Sequence, residues 1–259
     1  VVLWESFGTA TAPAIGDLVK NVAYSDGYIR FTATAAEGNA VIAAMDASDN
    51  ILWSWHIWLT DKPAEHVYAN SAGTMMDRNL GATSATPGDV GALGLFHQWG
   101  RKDPFLGSSA ISVSSVAKST ITWPGKVESS AETGTIAYAV THPTTFISNT
   151  DEYSNRDWYY TGDNTTDNTR WTEAKSVYDP CPAGWRVPDG GTDGIWNTAG
   201  FDNPTFDGTN KGKTFSNNDI DIWYPAAGYL AYDKALSNAG TSLYCWTATP
   251  WPDSAKAIN

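Results

Sequence analysis

The stretch Tyr178-Asp179-Pro180-Cys181-Pro182-Ala183-Gly184-Trp185-Arg186-Val187-Pro188 carries three prolines and a glycine around one tryptophan and one cysteine. A tryptophan set among Gly, Pro and apolar neighbours is expected to fill a core, with its indole N–H on a loop carbonyl. Trp99 and Trp246 sit in segments of the same kind, so Trp99, Trp185 and Trp246, with Cys181 and Cys245, form the expected structural set. Around this stretch, from about residue 66 onward, short elements alternate with loops rich in Gly, Asn, Asp, Ser and Thr, which reads as one loop-bearing domain over 66–259. Its expected helices are short: Leu93 to Arg101, where Leu95 and Trp99 stand four apart, Gly194 to Thr198, and a weaker candidate from Thr172 to Tyr178. Between them, Leu106 to Arg170 is long, polar and turn-laden, the kind of segment that in a compact domain usually carries function.

Residues 1–62 read differently. Tyr24-Ser25-Asp26-Gly27 separates Val19–Val22 from the run Tyr28–Thr32, and Asp46–Asn50 separates Val41–Ala44 from Ile51–Thr60, so two hairpins are expected. In the last strand Trp53 and Trp55 share one face while His56 and Trp58 share the other, a pattern for burial on both sides. Four or five strands are few for a closed sandwich, so this is expected to be a partial, sandwich-like β domain or one packed on the downstream region.

The chain has 259 residues, with 16 Lys plus Arg against 28 Asp plus Glu, a formal charge of −12. Such an acidic surface repels phosphate backbones, so nucleic acid is not an expected partner. No apolar run has the length of a bilayer-spanning helix, and no signal peptide opens the chain. The 13 Trp, 12 Tyr and 8 Phe are the outlying feature, and they need either a core or a ligand.

No nucleophile elbow, phosphate-binding loop, dinucleotide fingerprint or paired-histidine zinc helix occurs, and His56, His66, His97 and His142 are dispersed. No catalytic residue and no metal ligand is therefore assigned. Asp163–Asn168 and Asp202–Asp207 offer oxygens that calcium could take, but they lack the helix-flanked spacing of a calcium loop and read as solvated turns. Two cysteines are compatible with one disulfide, two buried thiols, or halves of bridges to partners elsewhere. Trp158, Tyr159, Tyr160, Trp171 and Trp251 lie among Asp, Asn, Thr and Pro, where an exposed ring beside short polar groups suits stacking on a sugar face or anchoring at a protein interface.

Five blocks, in order, resemble the Fibrobacter succinogenes major domain and related C-type-lectin-like domains of Bacteroidetes surface and fimbria-associated proteins. They are Met75–Ala82, Gly94–Pro104, the Tyr178–Pro188 stretch, Tyr224–Tyr229 and Tyr244–Thr249. Leu52–Trp58 is similar to a strand of the small β module that precedes this domain in such proteins. The resemblance implies an α+β, C-type-lectin-like fold: an opening strand in the first block, a first helix in the second, entry to a second helix in the third, and central strands at Trp223–Tyr229 and Tyr244–Thr249. Two departures stand out. Asp189-Gly190-Gly191 replaces a common Glu-Trp, and the family's final hairpin would lie beyond Asn259, which implies that Asn259 is not the natural terminus.

By the same resemblance the chain is a cell-surface adhesin or ligand-binding protein, extracellular, with a protein or calcium-independent glycan as ligand and other fimbrial subunits as neighbours. The expected ligand-binding residues are Trp251, Asp253 and Ser254, joined by Tyr232, Asp233, Lys234 and Trp158. In lectin-like domains this C-terminal stretch is also where retroelement-driven diversification places variable residues. A structural pilus subunit is the alternative. Formylglycine-generating enzymes share the broad fold and use cysteines, which makes an enzyme the lesser alternative.

Overall fold

A computed structural model describes residues 1–149, 157–163, 165, 167, 169–202, 204–217 and 220–249. The molecule is a β-rich α+β protein, 30% strand and 7% helix. In chain order the first five strands are β1 (Val2–Ser6), β2 (Val19–Ser25), β3 (Tyr28–Ala33), β4 (Gly38–Met45) and β5 (Ile51–Leu59). β2 pairs with β3 and β4 with β5, both antiparallel, so the two expected hairpins form, and β1 adds to the far edge of β4. The sheet β1-β4-β5 and the hairpin β2-β3 enclose Leu18, Val19, Ala40 and Ile42. The buried Glu5 beneath them accepts from the backbone N–H groups of Gly16 (2.6 Å), Leu18 (3.1 Å) and Val19 (2.6 Å), which satisfies a carboxylate that would otherwise be costly to bury.

This β region is packed on the rest of the chain. Trp4 and Val41 share a hydrophobic cluster with Leu106 and Ala117. β5 supplies the polar side of the seam: Ser54 Oγ donates to Asp103 (2.5 Å), Lys102 Nζ stands 4.5 Å from the Trp53 ring centre, and Trp58 Nε1 donates to the Ala82 carbonyl (2.9 Å). Trp55 alone of the strand's tryptophans is exposed, so its face is not buried as expected.

The remaining elements are short: β6 (Glu65–Tyr68), β7 (Gly73–Met76), β8 (Val127–Glu128), α1 (Ile136–Thr141), β9 (Ile147–Ser148), α2 (Ile195–Ala199), β10 (Thr205–Asp207), β11 (Gly212–Asn217), β12 (Ile220–Pro225), β13 (Tyr229–Leu230) and β14 (Leu236–Ser237). Among the described residues, β10-β11-β12 is a three-stranded antiparallel sheet, and β6-β7, β8-β9 and β13-β14 are separate pairs. Tyr68, Ile195, Ala199, Ile222, Tyr224 and Leu243 form the core between α2 and this sheet.

Two helix expectations fail for a backbone reason. Leu93 to Arg101 forms no helix and only follows a short 3-10 turn (Val90–Ala92); Gly94 (φ 72°) and Gly100 (φ 79°) take the left-handed region, and Phe96 pairs with Phe105 as an isolated bridge. Thr172 to Tyr178 is broken by Lys175 at φ 46°. The short helix expected over Gly194 to Thr198 forms as α2, which starts after Gly194 and stops at Gly200 in the left-handed conformation. α1, which the sequence reading did not anticipate, is capped by Thr135, whose Oγ1 accepts from Tyr138 N (3.1 Å). Tyr244–Thr249 forms no strand among the described residues.

Candidate functional site: an aromatic-lined cavity

The Tyr178–Pro188 stretch is folded on one carboxylate. Buried Asp179 accepts from Cys181 N (2.8 Å) and Lys175 Nζ (3.0 Å) through Oδ1, and from Val187 N (2.9 Å) through Oδ2. Prolines 180, 182 and 188 have no N–H to place, and two of the stretch's remaining backbone donors, Cys181 and Val187, converge on Asp179. The loop delivers Val187 into a cluster with Trp99, Trp171 and Ala248, against which Cys181 and Trp246 pack. Two distant segments are stitched there by crossed indole bonds: Trp99 Nε1 donates to Thr247 O and Trp246 Nε1 donates to His97 O, each 2.8 Å. Trp99 and Trp246 are therefore scaffold, with the loop carbonyl partners that their context predicts.

Between this loop, β12 and β13 lies a cavity of about 1150 Å³. Its aromatic walls include Trp185, Trp196, Trp223, Tyr229 and Tyr244, and Tyr229 meets Tyr244 edge to face at 5.1 Å. Trp223 points away from the core because it stands between Ile222 and Tyr224, both buried, on an alternating strand. Trp196 donates through Nε1 to Tyr224 Oη (3.0 Å), and that hydroxyl also meets Tyr68 Oη.

The charges in the wall are paired. Arg78 Nε bonds Asp77 (2.8 Å) and its Nη1 bonds Asp61 (2.6 Å); these carboxylates raise the guanidinium further, and the Arg78 hydrogen bond holds Asp61 below its usual range. Arg186 forks onto Asp189 at 2.5 and 2.8 Å. Cys181 and Cys245 are free thiols. Burial pushes Cys245 up to about 12, and burial with the nearby Asp179 raises Cys181, so both stay protonated at neutral pH. Burial lowers His97 to about 3. Three wall residues carry a buried ring nitrogen with no partner among the described residues: His66 Nδ1, His97 Nε2 and Trp223 Nε1. Among the described residues, no group of three or more His, Cys, Asp or Glu is placed to hold a metal ion.

No family model, curated protein or solved structure matches this chain. The site is therefore read from its own geometry.

Of the residues expected to bind ligand, Tyr232 is 64% exposed at the cavity rim, in the turn that joins β13 to β14. Its neighbours serve the turn: Asp233 Oδ1 accepts from Ala235 N (2.9 Å), and Lys234 Nζ donates to Pro124 O (2.7 Å) while lying 5.6 Å from the Trp123 ring centre. Burial lowers the Lys234 ammonium.

Trp158 is not exposed as expected. It belongs to the cavity wall but is only 3% exposed, its Nε1 donates to Trp99 O (2.7 Å), and the guanidinium carbons of Arg170 and Arg101 lie 5.1 and 5.6 Å from its ring centre. It forms part of an aromatic box around the buried Asp157–Arg170 ion pair, so it is held in the wall and is not the exposed ring expected from its neighbours in sequence. Trp171, also expected outside, is 1% exposed and donates to Tyr178 O (2.9 Å). Trp251, Asp253 and Ser254 lie outside the described residues.

Trp185 departs from its expected role in the other direction. It lines the cavity partly buried and joins no hydrophobic cluster among the described residues. Trp223 is expected only as the start of a central strand, not as a site residue; the alternation around it, with Ile222 and Tyr224 inward, is the available signal.

Proposed function

We propose that this chain is the ligand-binding part of a cell-surface, fimbria-associated adhesin, C-type-lectin-like in its second region, which holds an extracellular protein or glycan without transforming it. The observation that carries this reading is the cavity, built from the very blocks that resemble lectin-like surface domains, with half-buried aromatic walls and exposed Tyr232 at its rim. Such a concave aromatic site with a few convergent polar groups is a default binding site. The elevated thiols of Cys181 and Cys245 favour binding over cysteine chemistry, since the nucleophile in such chemistry is the thiolate. Among the described residues no helix is long and apolar enough to cross a membrane.

The test is a glycan and extracellular-matrix protein array probed with wild type and Tyr232→Ala. A defined set of positive spots, weakened at least about tenfold by the substitution, is the expected result. An empty array, together with self-association of the chain, would replace the adhesin by the structural-subunit reading.

A further inference from the structure

We propose that the cavity binds an uncharged saccharide held by Trp185 and Trp223, two indoles that the fold leaves unused; the proposal rests on the ligand-binding reading above and narrows its ligand. The cavity contains two kinds of tryptophan. Trp99, Trp158, Trp171, Trp196 and Trp246 each have an N–H acceptor. Each also has an aromatic neighbour. Trp185 and Trp223, among the described residues, have neither, and they belong to none of the hydrophobic clusters. Buried tryptophans ordinarily find a partner for the N–H, and a buried donor without an acceptor is costly. Trp223 nevertheless has a buried, unpartnered Nε1. It lies hard against Gly212, where a Cβ would come within 2.3 Å of that nitrogen, so its place depends on a residue with no side chain.

The chemistry of the wall selects among ligands. Arg78 and Arg186 are neutralised by Asp61, Asp77 and Asp189, so among the described residues of the wall no unpaired cation faces a sulfate or carboxylate and no unpaired carboxylate faces a basic peptide. The chain's charge of −12 repels acidic glycans at longer range. Three ring nitrogens of the wall, Trp223 Nε1, His66 Nδ1 and His97 Nε2, have no partner among the described residues; each is closed to solvent, so a polar ligand reaches them only with a small shift of the wall, and a purely apolar one cannot satisfy them. Hydroxyl groups can both donate and accept, so they suit an indole N–H and an imidazole nitrogen in either role. A sugar ring combines those hydroxyls with a flat C–H face for an indole. The volume, about 1150 Å³, exceeds the upper end of ordinary small-molecule pockets, roughly 1000 Å³, and gives room for more than one ring.

Titration calorimetry with neutral hexasaccharides of glucose, mannose, galactose and N-acetylglucosamine, and with a heparin hexasaccharide as the acidic control, tests this. At least one neutral probe should bind and the heparin probe should not. Trp223→Phe, which keeps a ring but loses the N–H, and Trp185→Ala should each weaken binding at least about tenfold with thermal unfolding preserved. If Trp185→Ala fails to fold, Trp185→Phe and quenching of indole fluorescence by the sugar take its place. No heat with any neutral probe, binding of heparin alone, or binding indifferent to both tryptophans overturns the proposal. Array signals on a host protein that survive these substitutions but fall with Tyr232→Ala would overturn the saccharide while leaving the adhesin reading. An empty array and silent calorimetry would remove both.

Discussion

At the scale of single residues, Asp179 illustrates how one buried carboxylate can organise a proline-rich loop that makes no regular structure. It accepts from two backbone N–H groups eight residues or fewer away and from the Lys175 ammonium, so removing it leaves buried donors without acceptors. Asp179→Ala should cost about 3 kcal/mol, a fall of roughly 8 °C in Tm by calorimetry, and the neutral isostere Asp179→Asn should recover part of that. A change below about 1 kcal/mol would mean that the prolines alone shape the loop. Asp157 and Arg170 do a related job deeper in the molecule, where Trp99, Trp158 and Tyr159 shield the pair from water. Reading Trp158 and Trp171 as exposed because their neighbours in sequence are Asp, Asn and Thr fails for this reason: those polar groups are themselves drawn inside, or turn outward, while the rings follow the arginine. The indole-to-carbonyl pairing of Trp99 and Trp246 was legible, because any buried indole must find an acceptor and loops offer free carbonyls.

At the scale of elements, glycine conformation outweighs hydrophobic spacing. Leu95 and Trp99 have helical spacing, yet the chain between Gly94 and Gly100 runs as a loop, and a Cβ on Gly94 would sit 2.6 Å from Leu80 O. Gly94→Ala should therefore destabilise by at least about 2 kcal/mol, through both the left-handed backbone and the clash, read as a lower urea midpoint with an unchanged slope. A neutral substitution would return the segment to the helical reading. The two N-terminal hairpins were legible because their signals are local: turn residues between β-branched runs, with period-two burial. α1 was not, since six residues opened by a threonine cap give too little periodicity to separate from loop.

At the scale of the whole molecule, the seam between the β region and the rest carries an acid-sensitive pair. His56 on β5 meets Asn39 Oδ1 through Nε2 (2.9 Å), Asn39 Nδ2 in turn donates to Gly81 O (2.8 Å), and His56 is close enough to His97 to disfavour its protonation. Burial lowers His56 from 6.5 to about 4 and His97 to about 3, with the Arg101 cation adding to the effect on His97. Both folded values lie below the unfolded one. The unfolded chain thus takes up protons that the folded chain refuses, and stability falls as pH drops from 6.5 towards about 4, by roughly 3 kcal/mol for each ring. Thermal unfolding followed across that window should show this fall in the wild type and a shallower one in His56→Gln; parallel curves would assign acid sensitivity to carboxylates elsewhere.

By itself, the sequence determined the hairpins, the short helix α2, the acidic charge and the need to house an unusual number of indoles, because turns, charge and composition act over a few residues or none at all. Only the tertiary structure decided which indoles are scaffold and which are spare. That choice depends on residues 97–99 meeting 246–247 and on where the cavity falls between the Asp179 loop, β12 and β13. Burial is a property of segments brought together across more than half the chain, and no local spacing encodes it.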